Sequence, residues 1–327
     1  MLERLRAPWS DRRAEFSLGA VSLLVALAVV AMVAFVAVQA WPTLRHNGLS
    51  WLGSGGNLKE QLETMQNAGP HPPAAAYHFR AWPLIWGTII ITIPAVVLGL
   101  GIAVLSSIFI VELAPARLRR AVIPVIRLLA TIPSVIYGLI GILVIVPFVL
   151  EHVISDQEKL SLQNTVALNG TGVGVAIVIL TVMITPIMIA LICEALIAVP
   201  NSWREGAIAL GCNPVRAMLA VTVRAARPAM VAAAVLATAR ALGEAIMISM
   251  VGGALDFAPR LGDGLTFFLE PTRSVAAAIV DYHEGIGAPA LKSSLYALAL
   301  LLLFSAFVLS VGGYLIKLPL RKYQVRG

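Results

Sequence analysis

Long apolar runs separated by polar connections set the plan of this chain. Five stretches, Ser17–Trp41, Leu84–Val111, Leu128–Leu150, Thr165–Cys193 and Ser293–Ile316, contain no Asp, Glu, Lys or Arg. A sixth, Pro228–Leu255, is interrupted only by Arg240 and Glu244. A helix needs about 20 apolar residues to cross the hydrocarbon core of a bilayer. The pattern predicts an all-α polytopic membrane protein with six transmembrane helices, at about 17–41, 84–111, 124–150, 168–193, 228–253 and 293–316. These lie in one transmembrane domain, 17–320, between a short amino-terminal segment, 1–16, and a tail, 321–327.

Proline and glycine punctuate several spans: Pro94, Gly99 and Gly101 in the second, and Pro124, Pro133, Gly138, Gly141 and Pro147 in the third. Such residues suit close packing of membrane helices or a cavity wall. The connection after the first span is turn-rich, with Gly69-Pro70-His71-Pro72-Pro73, and leaves room for a short surface helix at Lys59–Gln66. Glu151–Asn164 reads as an acidic loop. Asp256–Lys292 reads as an external connection with a short helix near Ser274–Val280. The segment 194–227 is too polar to span, and its Ala207, Ile208, Ala209 and Leu210 give a weakly apolar helical face ended by Gly211.

Composition agrees with a membrane chain: 59% of the 327 residues are hydrophobic and 13% charged, against about 25% charged in ordinary soluble domains. The net charge of +7 is distributed by topology. Fifteen Lys/Arg fall on the side of the termini and of the second and fourth connections. Seven fall on the other side, with Arg127 and Arg240 at or inside the membrane. Basic residues favour the cytoplasm, so both termini are expected there, and the charge gives no reason to expect a nucleic-acid partner. The first apolar run exceeds the ~7–15 residues of a signal-peptide core, so it reads as a retained helix. Cys193 and Cys212 fall at or inside the cytoplasmic face, where disulfides are not expected. The five histidines sit in outer connections without metal-ligand spacing, and no metal or cofactor is expected.

Two features carry candidate chemistry. Arg240 and Glu244 are four apart, hence on one face of a continuous helix and able to pair. Twelve residues from Pro228 to Arg240 are about 18 Å of helix, near the midplane. An ionised group there costs roughly 2.5–3.5 kcal/mol on insertion scales. A guanidinium offers a fork of donors suited to oxyanions; the competing reading is a structural ion pair, although burying one gives little net stability. The second feature is Arg204-Glu205-Gly206-Ala207 followed by Gly211, compact enough to enter another protein's groove. An amphipathic linker lying on the membrane fits it equally.

At these residues the chain resembles the membrane subunits of binding-protein-dependent ABC importers. Their loop motif runs Glu-Ala-Ala, three residues, Gly, then Leu-Pro about a dozen residues on. Here it reads Glu205-Gly206-Ala207, Gly211 and Val223-Arg224, so Gly206 and Arg224 depart from it. Within that family the similarity is to PstC-type permeases of phosphate importers. It is carried by Gly87-Thr88, Glu112-Leu113-Ala114-Pro115, Ile132-Pro133-Ser134-Val135-Ile136-Tyr137-Gly138, Ala225-Ala226-Arg227-Pro228, Arg240-Ala241-Leu242-Gly243-Glu244 and Ser294-Leu295-Tyr296-Ala297-Leu298. The resemblance implies a type I importer fold and a heterodimer with a second homologous permease. It also implies two cytoplasmic ATP-binding subunits and an extracytoplasmic phosphate-binding protein. Arg240 and Glu244 would line the solute path, and Arg204, Glu205, Gly206, Ala207 and Gly211 would couple to the ATPase. The chain has no Gly-x-x-x-x-Gly-Lys-Ser/Thr loop, so ATP hydrolysis is expected on the separate subunit. Three alternatives stay open: the PstA-like partner position, another oxyanion such as molybdate, sulfate or phosphonate, and an ion-driven carrier gated by Arg240 and Glu244.

Overall fold

In the computed structural model, residues 9–154, 169–253 and 258–320 are described. Residues 1–8 of the predicted amino-terminal segment and the whole tail lie outside these residues, as does most of the acidic connection 151–164.

The described chain is mostly helical, with one isolated bridge between Gly253 and Thr272. Helix α1 (Trp9–Asn47) leads to α2 (Leu58–Asn67) and then α3 (Trp82–Ile108), which runs on through a π-turn at Phe109–Leu113. Helix α4 (Ala116–Ala130) precedes α5 (Ser134–Ile140), a π-turn at Gly141–Ile145 and α6 (Val146–His152). Helices α7 (Val173–Ile197), α8 (Asn201–Ala209) and α9 (Pro214–Ala217) follow, and α9 continues through a π-turn at Met218–Val223 into α10 (Arg224–Leu242). The chain closes with α11 (Ile246–Val251), α12 (Val275–Asp281) and α13 (Pro289–Leu320). Among the described residues, six segments are long and apolar enough to cross a membrane: Glu15–Leu52, Ala74–Leu113, Ser134–His152, Val173–Ile197, Pro214–Leu242 and Pro289–Leu318.

Helix α7 is the hub. Two-thirds (67%) of its most apolar window is buried, against 6% for α1. It packs along α3 and against α10 and α4, whereas α1 touches mainly α13. A helix apolar all round can face either protein or lipid, so the pattern that predicts both spans does not say which one lies inside.

Two predicted spans differ in the structure. Where one helix is expected over 124–150, the chain breaks at Thr131–Ile132–Pro133, and α4 becomes a separate amphipathic helix carrying Arg117, Arg119, Arg120 and Arg127. Pro133 has no N–H to give and disfavours the α conformation at Ile132. The helix expected over 228–253 instead starts at Pro214, ends at Leu242 and resumes at Ile246.

The connections are more folded than their polarity suggests. Asn57 caps α2 by accepting from the Lys59 N–H at 3.0 Å. Its Leu58, Leu62 and Met65 join Trp51, Phe79, Leu84, Leu291 and Leu295 in a second core at one end of the bundle. The α12 region is not a solvated loop either, because Thr272, Ser274, Val275, Ala277 and Ala278 are each about 1% exposed or less.

Candidate functional site

Two broken helices meet beside each other. Gly138 on α5 brings that helix so close to α11 that a Cβ there would lie 2.7 Å from Met250 Sδ and 3.2 Å from Met247 Cα. Gly141 repeats the fit against Val251. Non-helical backbone at membrane depth is tolerated where protein or a water-lined cavity satisfies it. Here it falls at 131–133 and at 243–245, next to the predicted charges.

Arg240 occupies the last turn of α10 and is half-buried. Its guanidinium acts electrostatically on the Tyr137 phenol of α5, whose hydroxyl donates to the Leu129 carbonyl at 3.1 Å. Arg240 is thus within electrostatic reach of α5, whose Tyr137 bonds back across the 131–133 break. Glu244 lies past the helix end, 8% exposed, and its Oε1 accepts from the Met247 N–H at 3.2 Å. Among the described residues no ion pair joins Arg240 to Glu244. The expected pairing rests on a continuous helix, and α10 stops at Leu242, where the Gly243 and Glu244 N–H groups turn back to Ala239 and Ala241.

The second predicted feature forms as a helix. Pro200 starts α8, and the Gly211 N–H bonds to the Ile208 carbonyl (2.9 Å) while the Cys212 N–H reaches Ala207 (3.1 Å). That pair of bonds is a Schellman stop, which needs a left-handed residue; Gly211 supplies it at φ +89°. Glu205 and Gly206 are exposed and Ala207 half-buried, and α8 has no buried side chain. Leu210 is 88% exposed beside it. Arg204 turns inward: its Nη1 lies 2.5 Å from Oε2 of Glu112, whose side chain is 7% exposed. Glu112 enters the sequence argument only as part of a resembling stretch, and the 92 residues separating the pair leave no local signal.

A third polar group was not legible. Asp281 at the end of α12 accepts from the Ser249 hydroxyl of α11 at 2.5 Å and faces Arg273 Nε at 3.1 Å. The Arg273 guanidinium also stacks 4.9 Å over Tyr282. Nearby in sequence, Glu270 is 9% exposed. Burial raises its carboxyl pKa, Asp263 raises it further as hydrogen-bond partner and as a charge, and Arg260 opposes both. Cys193 is buried and Cys212 half-buried, both as free thiols.

A bundle of six apolar spans with two packed helix breaks and an exposed capped helix has the architecture of a polytopic membrane protein. Residues 95–317 match the family described as binding-protein-dependent transport system inner membrane component, and the chain belongs to it. It is 35% identical over 240 residues to the phosphate transport system permease protein PstC 1 of Mycobacterium tuberculosis, covering 70% of each chain. It is 31% identical over 234 residues to the probable ABC transporter permease protein YqgH of Bacillus subtilis, covering 72% of this chain and 69% of that one. In fold it resembles a chain of the inward-facing MetNI methionine ABC transporter, with a TM-score of 0.52 at 20% identity over 72% of this chain and 93% of the other. The chain is therefore a multi-pass permease component of an ABC importer with the type I fold.

Proposed function

We propose that this chain is the PstC-type subunit of an importer that moves inorganic phosphate across the cytoplasmic membrane. In this reading both termini are cytoplasmic, and the chain pairs with a second homologous permease. Two ATPase subunits dock on α8, and an extracytoplasmic phosphate-binding protein delivers the solute. The observation that carries the reading is the 35% identity to a phosphate permease over 70% of the chain, and a half-buried arginine at a helix break supports it. Arg240 would meet the anion as the bundle opens, its fork of donors matching phosphate oxygens. Arg204, Glu205, Gly206, Ala207 and Gly211 form the helix that would receive the motor, and hydrolysis would stay on the ATPase.

Uptake of phosphate by the reconstituted complex tests this. Arg240→Gln should abolish uptake while the ATPase still co-purifies. Normal uptake removes Arg240 from the path, and lost assembly makes it a structural charge. A wild-type complex that carries a different oxyanion and not phosphate refutes the solute assignment.

A further inference from the structure

Helix α8 has no buried side chain, and its backbone is tied to α7 and α9 only by the short links 198–200 and 210–213. One described side chain fastens it to a membrane helix remote in sequence. Arg204 Nη1 meets Glu112 Oε2 at 2.5 Å, on the π-turn that ends α3. The pair sits in the wall of a polar cavity of about 540 Å³ that also includes Arg119, Asn201 and Thr222. A carboxylate whose side chain is 7% exposed needs a partner, and α8 supplies it.

Helix α3 is clamped at its other end too. Thr88 Oγ1 accepts from the Val275 N–H at 2.9 Å, capping α12, and Gly87 lets the Arg273 carbonyl and the Thr272 side chain lie against the helix. At the far end of α12, Asp281 holds Ser249 of α11, the short helix that Glu244 caps. A single helix thus joins the protruding α8 to the elements bordering the break.

We propose that Glu112 is a positioning residue for transport: it receives Arg204, and the ion pair passes movement of α8 into α3. This rests on the reading that α8 is where an ATPase docks. The covalent links act on α7 and α10, and reach α3 only through its packing against them; the strut ties α3 to α8 directly, and with α3 the α12–α11 unit.

The test uses the reconstituted complex of both permeases, the ATPase and the binding protein. ATPase co-purification, ATP turnover with and without phosphate-loaded binding protein, and phosphate moved per ATP are measured together. Glu112→Gln should keep the ATPase bound and lower phosphate per ATP about tenfold, with loss of stimulation by the binding protein. The double variant Glu112→Gln/Arg204→Gln separates transmission from a stranded charge, because it also removes the guanidinium that Glu112→Gln alone leaves without its carboxylate. A strut predicts that the double variant stays uncoupled; recovery to within twofold of wild type overturns the proposal, as does a Glu112→Gln complex with the wild-type ratio. A wild-type complex that binds no ATPase overturns the docking reading itself and is seen before any variant is made. If the wild type couples to another oxyanion, the solute assignment fails, and the same ratio measured with that anion decides the strut.

Discussion

Replacing Gly87 with alanine tests whether α3 and α12 are in close register. A methyl at Gly87 would lie 2.7 Å from Thr272 Oγ1 and 3.1 Å from the Arg273 carbonyl carbon, and closer still to that carbonyl's oxygen. Comfortable contact is about 3.5–4.0 Å, so the segment must retreat by about 1 Å. It cannot retreat freely, since the Thr272 N–H is held by the Gly252 carbonyl at 2.7 Å and the Val275 N–H by Thr88 at 2.9 Å. Overpacking of this kind costs about 1–3 kcal/mol, and losing the Thr88 bond adds about 0.5–1.5 kcal/mol. Alanine returns about 1 kcal/mol of helix propensity, which roughly cancels the lost bond and leaves the overpacking loss of about 1–3 kcal/mol. At roughly 2 °C per kcal/mol for a chain this long, the unfolding midpoint in detergent should fall about 2–6 °C. Gly101→Ala, on the same helix with nothing within 4 Å of its Cβ, is the control and should not fall. Equal midpoints for the two variants would refute the close approach of α12 to α3.

Two further predictions concern charge and backbone. Glu270, with its folded pKa raised by burial and by Asp263, stabilises the fold below its ordinary pKa and loses that contribution as pH rises through the folded value. Melting scans from about pH 5 to pH 8 should show wild type losing stability relative to Glu270→Gln; parallel curves would count against the raised pKa. Gly206 has open space where a Cβ would go, so Gly206→Ala should firm α8 by about 1 kcal/mol. Slower amide exchange in 201–209 is the readout, and unchanged exchange would show that Gly206 does not limit the helix.

The spans were legible where apolar character alone decides them: α1, α7 and α13 follow from uncharged runs. The Gly211 stop was legible as well, because only one residue type takes that backbone cheaply. The breaks were not. At Pro133 and at Gly243 a kink and a break leave the same trace in the sequence, and only the packing of α5 on α11 separates them. The polar pairs Arg204–Glu112 and Ser249–Asp281 join residues 92 and 32 apart, and no periodicity reports on such distances. Nothing in the sequence pairs Arg273 with Asp281; α12 packs against α3 and α13 and brings Arg273, 8% exposed, to face Asp281.

Arg240 and Glu244 show how a break changes the meaning of a spacing. Four apart on one helix, they would neutralise each other and leave an anion little to bind. With the helix ended at Leu242, each charge is matched to a helix end instead. Arg240 stands at the carboxyl end of α10, where free carbonyls favour a cation, and Glu244 stands at the amino end of α11, where it accepts from a backbone N–H. Such end effects are worth about 0.3–1 kcal/mol, and up to ~2 kcal/mol for a partly buried cation, less than the roughly 3–5 kcal/mol that breaking a buried ion pair costs. Glu244, committed to α11, does not compete for the guanidinium. On the proposed path, an arriving oxyanion would have only weak contacts to displace, and departure would require no acid to swing back.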